Sequence, residues 1–331
     1  MGKERHGISP TDRPTPDPSR KREGRLTLAL LPEAVRPALE GRLPGWVEPR
    51  WWDSPEALVE LAPAAEIGWF DLHVKPPALR AVELAQGLRW LNTSYAGVDW
   101  LPLDDLAQRG VAVTCGSGLT TQQVAEYAVL AMLAVAKDYP AVVRAQDRGE
   151  WLAAPPGIRD LAGSSALILG NGAIGQAIGR ALEGFGVEVF AVSRSRPRAW
   201  RHQLGGFDWV VLALPGTPET RGTIGAAELA AMKPAAVLVN FARADCVDQD
   251  ALVEALRERR LAAAVLDLTD PEPLPPGHPL WALDNAHITM HLSGIPTPAS
   301  QARAAERFLR NCERFRTGEP LEAAVDLARG Y

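Results

Sequence analysis

The amino-acid sequence predicts an α/β protein with doubly wound parallel sheets. Two observations support this prediction. Short apolar runs alternate with helical stretches in two separate blocks of the chain, and the runs of the second block are apolar almost without interruption. Such alternation is typical of parallel sheets, and continuous apolar strands indicate that helices cover both faces of the sheet. With 331 residues, the chain is also long enough for two domains.

The first block extends from Arg25 to about Gly118. We predict four strands there and, before the last of them, a short helix closed by Gly110. The strand candidates are RLTLALL, AEIGWF, GLRWLNTS and GVAVTC.

A long helix is predicted from Thr120, because Thr120 and Gln123 have capping-box spacing and Pro140 would end the run. Its apolar residues occupy nearly every face, which predicts burial at a domain junction. A second block of six strand candidates follows, and after Pro296 an amphipathic helix ends at Gly318. The six candidates are SALIL, VEVFAV, DWVVLAL, AVLVN, AAAVLDL and AHITM.

Composition argues against several classes of function. Acidic residues outnumber basic ones, 40 to 35, and the net charge of -5 argues against a nucleic-acid or membrane partner. The three cysteines are widely spaced, so we expect buried free thiols rather than disulfides or a zinc site. Residues 1–24 combine prolines and charges with almost no apolar side chains, which predicts a disordered tail. No long apolar run suggests a membrane span, and we expect a cytoplasmic protein without a metal ion.

A glycine pattern marks the start of the second block. Gly170, Gly172 and Gly175 stand between the strand candidate SALIL and a helical segment. In that context the pattern is typical of a dinucleotide-binding turn, because glycines permit a tight turn and let the backbone approach a pyrophosphate. The helix N-terminus adds N–H groups and a partial positive charge. We therefore expect this turn, including Ala173 and Ile174, to bind a dinucleotide; the alternative is that the glycines merely tighten a turn.

The strand after the glycines ends without the expected acid. In dinucleotide folds an Asp or Glu about 20 residues further on accepts a hydrogen bond from the ribose 2′-hydroxyl. Here Ser193 occupies that position, and Arg194, Ser195 and Arg196 follow. A serine beside an arginine would bind a 2′-phosphate, which a carboxylate would repel. We predict a preference for NADP(H), with NAD(H) possible; the alternative is a solvated basic loop.

Three ionisable residues follow three strand candidates. Arg243 comes after AVLVN, Glu272 after AAAVLDL and His291 after AHITM. Because ligands bind outside the carboxyl ends of parallel strands, we expect these residues to converge near the nicotinamide end of a bound cofactor. Arginine can hold a carboxylate and polarise a carbonyl, histidine can protonate an alkoxide, and a carboxylate can orient the histidine. The set predicts hydride transfer to a carbonyl carbon.

Eight motifs connect the chain to a known family. From about residue 60 onward the sequence resembles the D-isomer-specific 2-hydroxyacid dehydrogenases, and within that family it is most similar to glyoxylate/hydroxypyruvate reductases. The motifs occur in the family's order and are AGVDWLPL, VAEYAVLAMLA, LILGNGAIGQAIG, LALPGTPETRGTIG, MKPAAVLVNFARADCVDQDAL, LDLTDPEPLPPGHPLW, NAHITMHLSG and GEPLEAAVDLARGY.

The resemblance implies a Rossmann-like cofactor domain, residues 119–295, inserted into a flavodoxin-like substrate domain formed by residues 25–118 and 296–331. It also implies a homodimer formed through the cofactor domain. By position in the motifs, Arg243 matches the substrate-binding arginine, His291 the catalytic histidine and Glu272 its acid partner. The resemblance further assigns Ala96 and Gly97 to the loop that holds the substrate carboxylate, Asp267 to the nicotinamide carboxamide, and Leu214, Pro215 and Phe241 to the cofactor lining.

The chain departs from the family pattern at three places. Ala244 replaces the usual glycine after the arginine, which would cost stability if the backbone there needs a positive φ. Met290 replaces the usual proline before the histidine and is expected to loosen the positioning of His291. The short span after Ser193 lacks room for the strand and helix that relatives place there, so a more open adenine side is expected.

The sequence therefore predicts an NADPH-preferring reductase that converts a small 2-keto acid of the glyoxylate or hydroxypyruvate type to the D-2-hydroxy acid. Two alternatives stay open. The first is the same chemistry on a bulkier 2-keto acid, with Trp69, Phe70 and Trp100 shaping the pocket rather than packing in the core. The second is a non-catalytic, NAD(P)-sensing binding protein of the corepressor kind.

Overall fold

The structure, a computed structural model, describes residues 25–193 and 199–331. Within them two sheets of parallel strands are each packed between two hydrophobic cores, as the alternating pattern predicts. The strands are β1 Thr27–Pro32, β2 Val47–Trp52, β3 Ile67–Trp69, β4 Trp90–Asn92, β5 Ala112–Thr114, β6 Ser165–Leu169, β7 Glu188–Val192, β8 Trp209–Leu212, β9 Val237–Asn240, β10 Ala263–Leu266 and β11 Ala286–Ile288. The α-helices are α1 Arg36–Leu39, α2 Pro55–Leu61, α3 Lys75–Leu84, α4 Leu103–Gln108, α5 Thr121–Lys137, α6 Tyr139–Asp147, α7 Ala173–Gly184, α8 Ala226–Ala231, α9 Gln249–Arg257 and α10 Pro298–Thr317.

The first sheet has the strand order β2-β1-β3-β4-β5. One of its faces packs against helices α2, α3 and α4. On the other face, the rings of Trp69 and Trp90 lie 5.3 and 4.8 Å from the ring of Phe308, measured between centroids. Because Phe308 belongs to α10, the chain returns to the first sheet after completing the second.

Strand β2 has no counterpart among the four strands predicted for the first block. Its sequence is VEPRWW, with charged residues and Pro49 in the interior and only the two ends fully buried. A proline cannot donate to a strand ladder and is tolerated where a neighbour is missing on one side. The edge position of β2 in the sheet supplies that condition, and the local sequence does not signal it.

The second sheet has the strand order β11-β10-β9-β8-β6-β7. Helix α5 packs with α7 in the core beneath this sheet. The predicted capping box is wrong, because the Thr120 side chain makes no capping hydrogen bond and the Gln123 amide instead donates to the Ile295 carbonyl at 2.6 Å. The helix ends before Asp138, whose φ is 45°, and Pro140 lies in the first turn of α6, where the missing N–H costs nothing.

Strand β7 lies at one edge of the second sheet and is largely exposed. Among the described residues, the connection from β7 to β8 contains only the 3-10 segment Ala199–Gly206. The side chain of Phe190 is 44% exposed, and its ring contacts Phe207 edge to face. Burial on both faces is therefore wrong for this strand, because the described residues between β7 and β8 do not cover its outer side.

The cysteines Cys115, Cys246 and Cys312 are buried free thiols, as predicted. Burial raises the pKa of each thiol, and that of Cys312 to about 12. None of the helices in the described ranges has the length and apolar content needed to cross a bilayer.

Candidate active site

A cleft of about 1150 Å³ lies between the carboxyl ends of the two sheets. From the first sheet it is lined by residues 96–99, which follow β4. From the second it is lined by the glycine turn at residues 169–174, by residues 213–223 after β8 and by residues 241–243 after β9. The position agrees with the rule that open parallel sheets bind ligands outside their carboxyl ends.

The glycine turn combines one tightly packed edge with one open edge. Gly170 has φ +111°, and a Cβ there would lie 2.2 Å from the Ala213 carbonyl oxygen. A Cβ on Gly175 would lie 1.9 Å from the Gly170 carbonyl oxygen, so both positions require glycine. At Gly172, which caps α7, a Cβ would meet no described atom within 4 Å. The backbone is therefore open to the cleft at the helix N-terminus, which suits a pyrophosphate and fits a bound dinucleotide.

Most of the predicted cofactor residues are found around this cleft. Gly175 packs beneath the glycine turn, Asp267 is buried, and Arg194 and Ser195 lie outside the described residues. Arg201, which was not among the predicted residues, also lines the cleft and donates from Nε to Glu228 at 2.7 Å. The predicted residues that line the cleft are Gly170, Gly172, Ala173, Ile174, Ser193, Leu214, Pro215 and Phe241.

Arg243 lies in the cleft against the loop that follows β4. Its Nη1 donates to the Ala242 carbonyl at 2.8 Å, and its Nε and Nη2 donate to the carboxylate of Asp99 at 3.0 to 3.2 Å. A Cβ on Gly97 would lie 1.4 Å from Nη2, so the guanidinium rests directly on Gly97. The structure thus brings the predicted arginine and the predicted substrate loop together.

The loop with Ala96 and Gly97 is held by a half-buried carboxylate that was not among the predicted residues. Asp71 follows β3 and accepts hydrogen bonds from the Thr93 hydroxyl at 2.5 Å, the Ser94 N–H at 2.6 Å and the Trp69 indole at 2.8 Å. Burial raises the pKa of Asp71 and outweighs these hydrogen bonds, which lower it. The available signal was an acid directly after a strand of the first sheet.

His291 and Glu272 form a pair in the segments that follow β11 and β10, but neither residue lines the cleft that contains Arg243, so the structure does not show the predicted convergence of the three residues. Nδ1 of His291 lies 2.5 Å from Oε1 of Glu272, and both side chains are partly exposed. Met290 and His291 have φ of 56° and 54°, a left-handed conformation that proline cannot adopt. This backbone therefore accounts for the absence of proline at position 290.

Asp267 is buried next to residues 289–293, the segment that carries His291. Its carboxylate accepts hydrogen bonds from the hydroxyls of Thr289 and Ser293, and its carbonyl accepts from the His291 N–H at 2.6 Å. The acid therefore fixes the path of the chain after β11.

Ala244 begins a 3-10 turn and is not among the described residues with positive φ, so its replacement of glycine causes no backbone strain.

The aromatic residues considered for the pocket do not line the cleft. Trp69 and Phe70 are fully buried in the two cores of the first sheet. Trp100 packs against the core that contains Phe70. The ammonium of Lys75 lies 4.6 Å from the centroid of the Trp100 ring. They pack in and beside the cores of the first sheet.

Two parallel sheets, a glycine turn at a helix N-terminus and an arginine and a histidine–glutamate pair at the strand ends define the class of dinucleotide-dependent oxidoreductases. Comparison with known proteins gives the family. Residues 129–293 match the family described as D-isomer specific 2-hydroxyacid dehydrogenase, NAD binding domain. The human glyoxylate reductase/hydroxypyruvate reductase is 32% identical over 299 residues, which are 83% of this chain and 90% of the human protein.

Solved structures agree with this assignment. A D-isomer specific 2-hydroxyacid dehydrogenase family protein from Aeromonas salmonicida has a TM-score of 0.80 and 31% identity, covering 92% of this chain and 99% of that one. A D-isomer specific 2-hydroxyacid dehydrogenase from Xanthobacter autotrophicus, in complex with NADPH and MES, has a TM-score of 0.72 and 30% identity, covering 93% and 100%. The chain belongs to the D-isomer specific 2-hydroxyacid dehydrogenase family and is an NAD(P)-dependent oxidoreductase.

Proposed function

We propose that this protein reduces a small 2-keto acid, of the glyoxylate or hydroxypyruvate type, to the D-2-hydroxy acid and prefers NADPH. The observation that carries the proposal is the guanidinium of Arg243 resting on Gly97 in a cleft next to a dinucleotide-binding turn. The guanidinium and the backbone N–H groups of this loop together can bind the carboxylate of a 2-keto acid and polarise the carbonyl next to it. The human relative and several archaeal relatives named glyoxylate reductase support this substrate class.

The residues of the chain divide the reaction between them. Bound NADPH supplies the hydride for the keto carbon. Arg243 and the N–H groups of Ala96 and Gly97 hold the carboxylate and polarise the carbonyl. Because Nδ1 of His291 is bonded to Glu272, its Nε2 is the nitrogen that gives a proton to the carbonyl oxygen. Glu272 orients the ring and balances the charge of the imidazolium.

The preference for NADPH follows from the end of β7. Ser193 lines the cleft where an NAD-specific protein would place a carboxylate, and Arg201, whose guanidinium is paired with Glu228, also lines the cleft. Arg194 and Ser195 follow in the sequence and add a further cation and hydroxyl. A 2′-phosphate would meet donors rather than a repelling carboxylate. The NADPH complex of the Xanthobacter relative is consistent with this preference.

The experiment is steady-state reduction of glyoxylate and hydroxypyruvate with NADPH and NADH in parallel. We expect a higher kcat/KM with NADPH in the wild-type protein, a lower preference in Arg194→Ala and a reversed preference in Ser193→Asp. Ala302→Asp, at an exposed position of α10 that does not line the cleft, serves as the control. Tight NADPH binding without turnover of any 2-keto acid would instead support a cofactor-sensing protein, and an NADH preference would refute the assignment of Ser193.

We also propose a two-domain division and a homodimer. Because α5 packs on the second sheet and α10 on the first, residues 119–295 are assigned to the cofactor domain and residues 25–118 with 296–331 to the substrate domain. Helices α5 and α6 and the segment after them expose large apolar side chains, including Leu130, Trp151 at 98% and Ile158 at 81% exposure. Exposed apolar patches of this kind mark interfaces.

Light scattering tests the dimer. The double variant Trp151→Glu with Ile158→Glu is expected to have half the mass of the wild-type particle, because two charges would be buried in the interface. Leu26→Glu, at another exposed apolar position, is the control and is expected to keep the dimer mass. A monomeric wild-type protein at micromolar concentration would refute the assignment.

A further inference from the structure

Asp99 and Arg243 connect the two halves of the cleft. Asp99 lies on the loop after β4 of the first sheet, and Arg243 follows β9 of the second sheet, 144 positions later in the chain. The carboxylate accepts from Nε of Arg243 at 3.2 Å to Oδ1 and 3.1 Å to Oδ2, and from Nη2 at 3.0 Å to Oδ1. It therefore contacts the side edge of the guanidinium, formed by Nε and Nη2.

The remaining donors of Arg243 define where a substrate can bind. A guanidinium carries five N–H donors. Asp99 accepts one from Nε and one from Nη2, and the Ala242 carbonyl accepts one from Nη1. One N–H on each terminal nitrogen is left, and that of Nη2 points along the end of the fork, because the other N–H of Nη2 lies on the side edge with Nε and donates to Asp99. Because Nη2 rests on Gly97, this end faces the loop whose amides hold the substrate carboxylate.

The charges around Asp99 keep its carboxylate ionised. Burial disfavours the charged form, but hydrogen bonds and the charge of Arg243, with a smaller contribution from Lys75, hold the pKa of Asp99 below its ordinary value. The Lys75 ammonium is fixed nearby, since it donates to the Leu72 carbonyl at 2.8 Å and lies 3.6 Å from the ring centroid of Tyr95. At neutral pH, Asp99 is therefore an anion that holds the guanidinium at fixed geometry.

We propose that Asp99 is the positioning residue that aims Arg243 at the substrate. It occupies the side edge of the guanidinium, so that the carboxylate and carbonyl oxygens of a 2-keto acid bind only to its end. This inference rests on the proposed function. It also predicts that Asp99 touches no substrate atom and acts entirely through Arg243.

Competition between Asp99 and the substrate for Arg243 would have the opposite effect on binding. If Asp99 merely competed with the substrate for the guanidinium, its removal would free Arg243 and strengthen the binding of 2-keto acids. If Asp99 positions Arg243, its removal weakens that binding, because a long flexible side chain must then be ordered by the substrate itself.

The test uses Asp99→Ala and Asp99→Asn in the full chain, with Asp104→Asn as the matched control. Asp104 is an exposed acid on the same stretch of chain, in the first turn of α4. We expect Asp99→Ala to lower kcat/KM for glyoxylate by at least about tenfold, the size expected for a hydrogen bond to a charged group. Asp99→Asn, which keeps one acceptor oxygen, should lose less. The KM for NADPH should stay within about twofold in all three variants.

Binding of oxamate, an unreactive 2-keto acid analogue, to the NADH- or NADPH-loaded protein separates this inference from the proposed function. Calorimetry of wild type, Asp99→Ala, Arg243→Ala and the double variant forms a double-mutant cycle. We expect Asp99→Ala to weaken oxamate binding in the wild-type background and to have no further effect beside Arg243→Ala. If wild type binds oxamate but reduces no 2-keto acid, the proposed function fails while this cycle still tests Asp99.

Three results would overturn the inference. Tighter oxamate binding by Asp99→Ala or Asp99→Asn would show competition rather than positioning. Losses that add in the double variant would show that Asp99 acts on the fold of the loop and not through Arg243. Equal oxamate affinity in wild type and Asp99→Ala would also reject it.

Discussion

Gly97→Ala separates the position of Arg243 from the stability of the fold. The added Cβ would lie 1.4 Å from Nη2 and 2.7 Å from Cζ of Arg243. Both atoms belong to the end of a flexible side chain and the φ of Gly97 is not positive, so the backbone can stay in place while the guanidinium leaves. Arg243 then loses its hydrogen bonds to Asp99 and its place beside the loop. At about 1.5 to 3 kcal/mol for hydrogen bonds between charged groups, kcat/KM should fall about 10- to 100-fold.

The assay is steady-state reduction of glyoxylate with NADPH, together with thermal unfolding. Gly45→Ala is the control, because a Cβ at Gly45 meets no described atom within 4 Å and its φ is also not positive. We expect both variants to unfold close to the wild-type temperature and only Gly97→Ala to lose activity. Wild-type kcat/KM in Gly97→Ala would refute the placement of the guanidinium on Gly97.

Four further outcomes follow from the structure. His291→Asn should lower kcat by about 100-fold or more through loss of the proton donor, while NADPH affinity measured by fluorescence stays within about twofold. Gly172→Ala should keep the wild-type Tm and weaken NADPH binding, whereas Gly175→Ala, with its Cβ 1.9 Å from a carbonyl oxygen, should lower the Tm in the same assay. Asp71→Asn should destabilise the protein in urea by about 1 to 3 kcal/mol, because three donors face a group that can no longer accept them all. For Asp99, whose pKa is below its ordinary value of 3.8, the stabilisation is complete at neutral pH and lost as the pH falls through the lowered pKa, so wild type and Asp99→Asn should converge in urea stability in strong acid. Unchanged binding by Gly172→Ala, a stable Asp71→Asn or a pH-independent gap for Asp99 would contradict the corresponding assignment.

The backbone conformation at His291 explains why Met290 replaces the proline that is usual in the family. Met290 and His291 both have left-handed backbone, which costs about 1 to 2 kcal/mol per non-glycine residue. Hydrogen bonds from the His291 N–H and from Thr289 and Ser293 to Asp267 hold this segment in place. Met290 is expected from the sequence to loosen His291, whereas in the structure hydrogen bonds to Asp267 hold this segment.

The strongest sequence predictions are those that depend on short-range pattern. Ten of the eleven strands correspond to predicted apolar runs, because continuous burial in a parallel sheet leaves a visible composition in each segment. The glycine turn is equally local, since Gly170 and Gly175 must lack a Cβ to let one strand end and one helix begin at the same place. Strand β2 and the exposed face of β7 were missed because edge position depends on which neighbours a strand lacks.

The sequence by itself determined the fold class, the dinucleotide turn and the identity of the ionisable residues at the strand ends, because each depends on residue type at a fixed distance from a strand. Only the tertiary structure decided how those residues are held. Asp99 meets Arg243 across 144 positions, and Asp71 meets the loop before Gly97 across 22 and 23 positions, at Thr93 and Ser94. Such contacts have no local sequence pattern, since they arise only when the carboxyl ends of separate strands are brought together by packing.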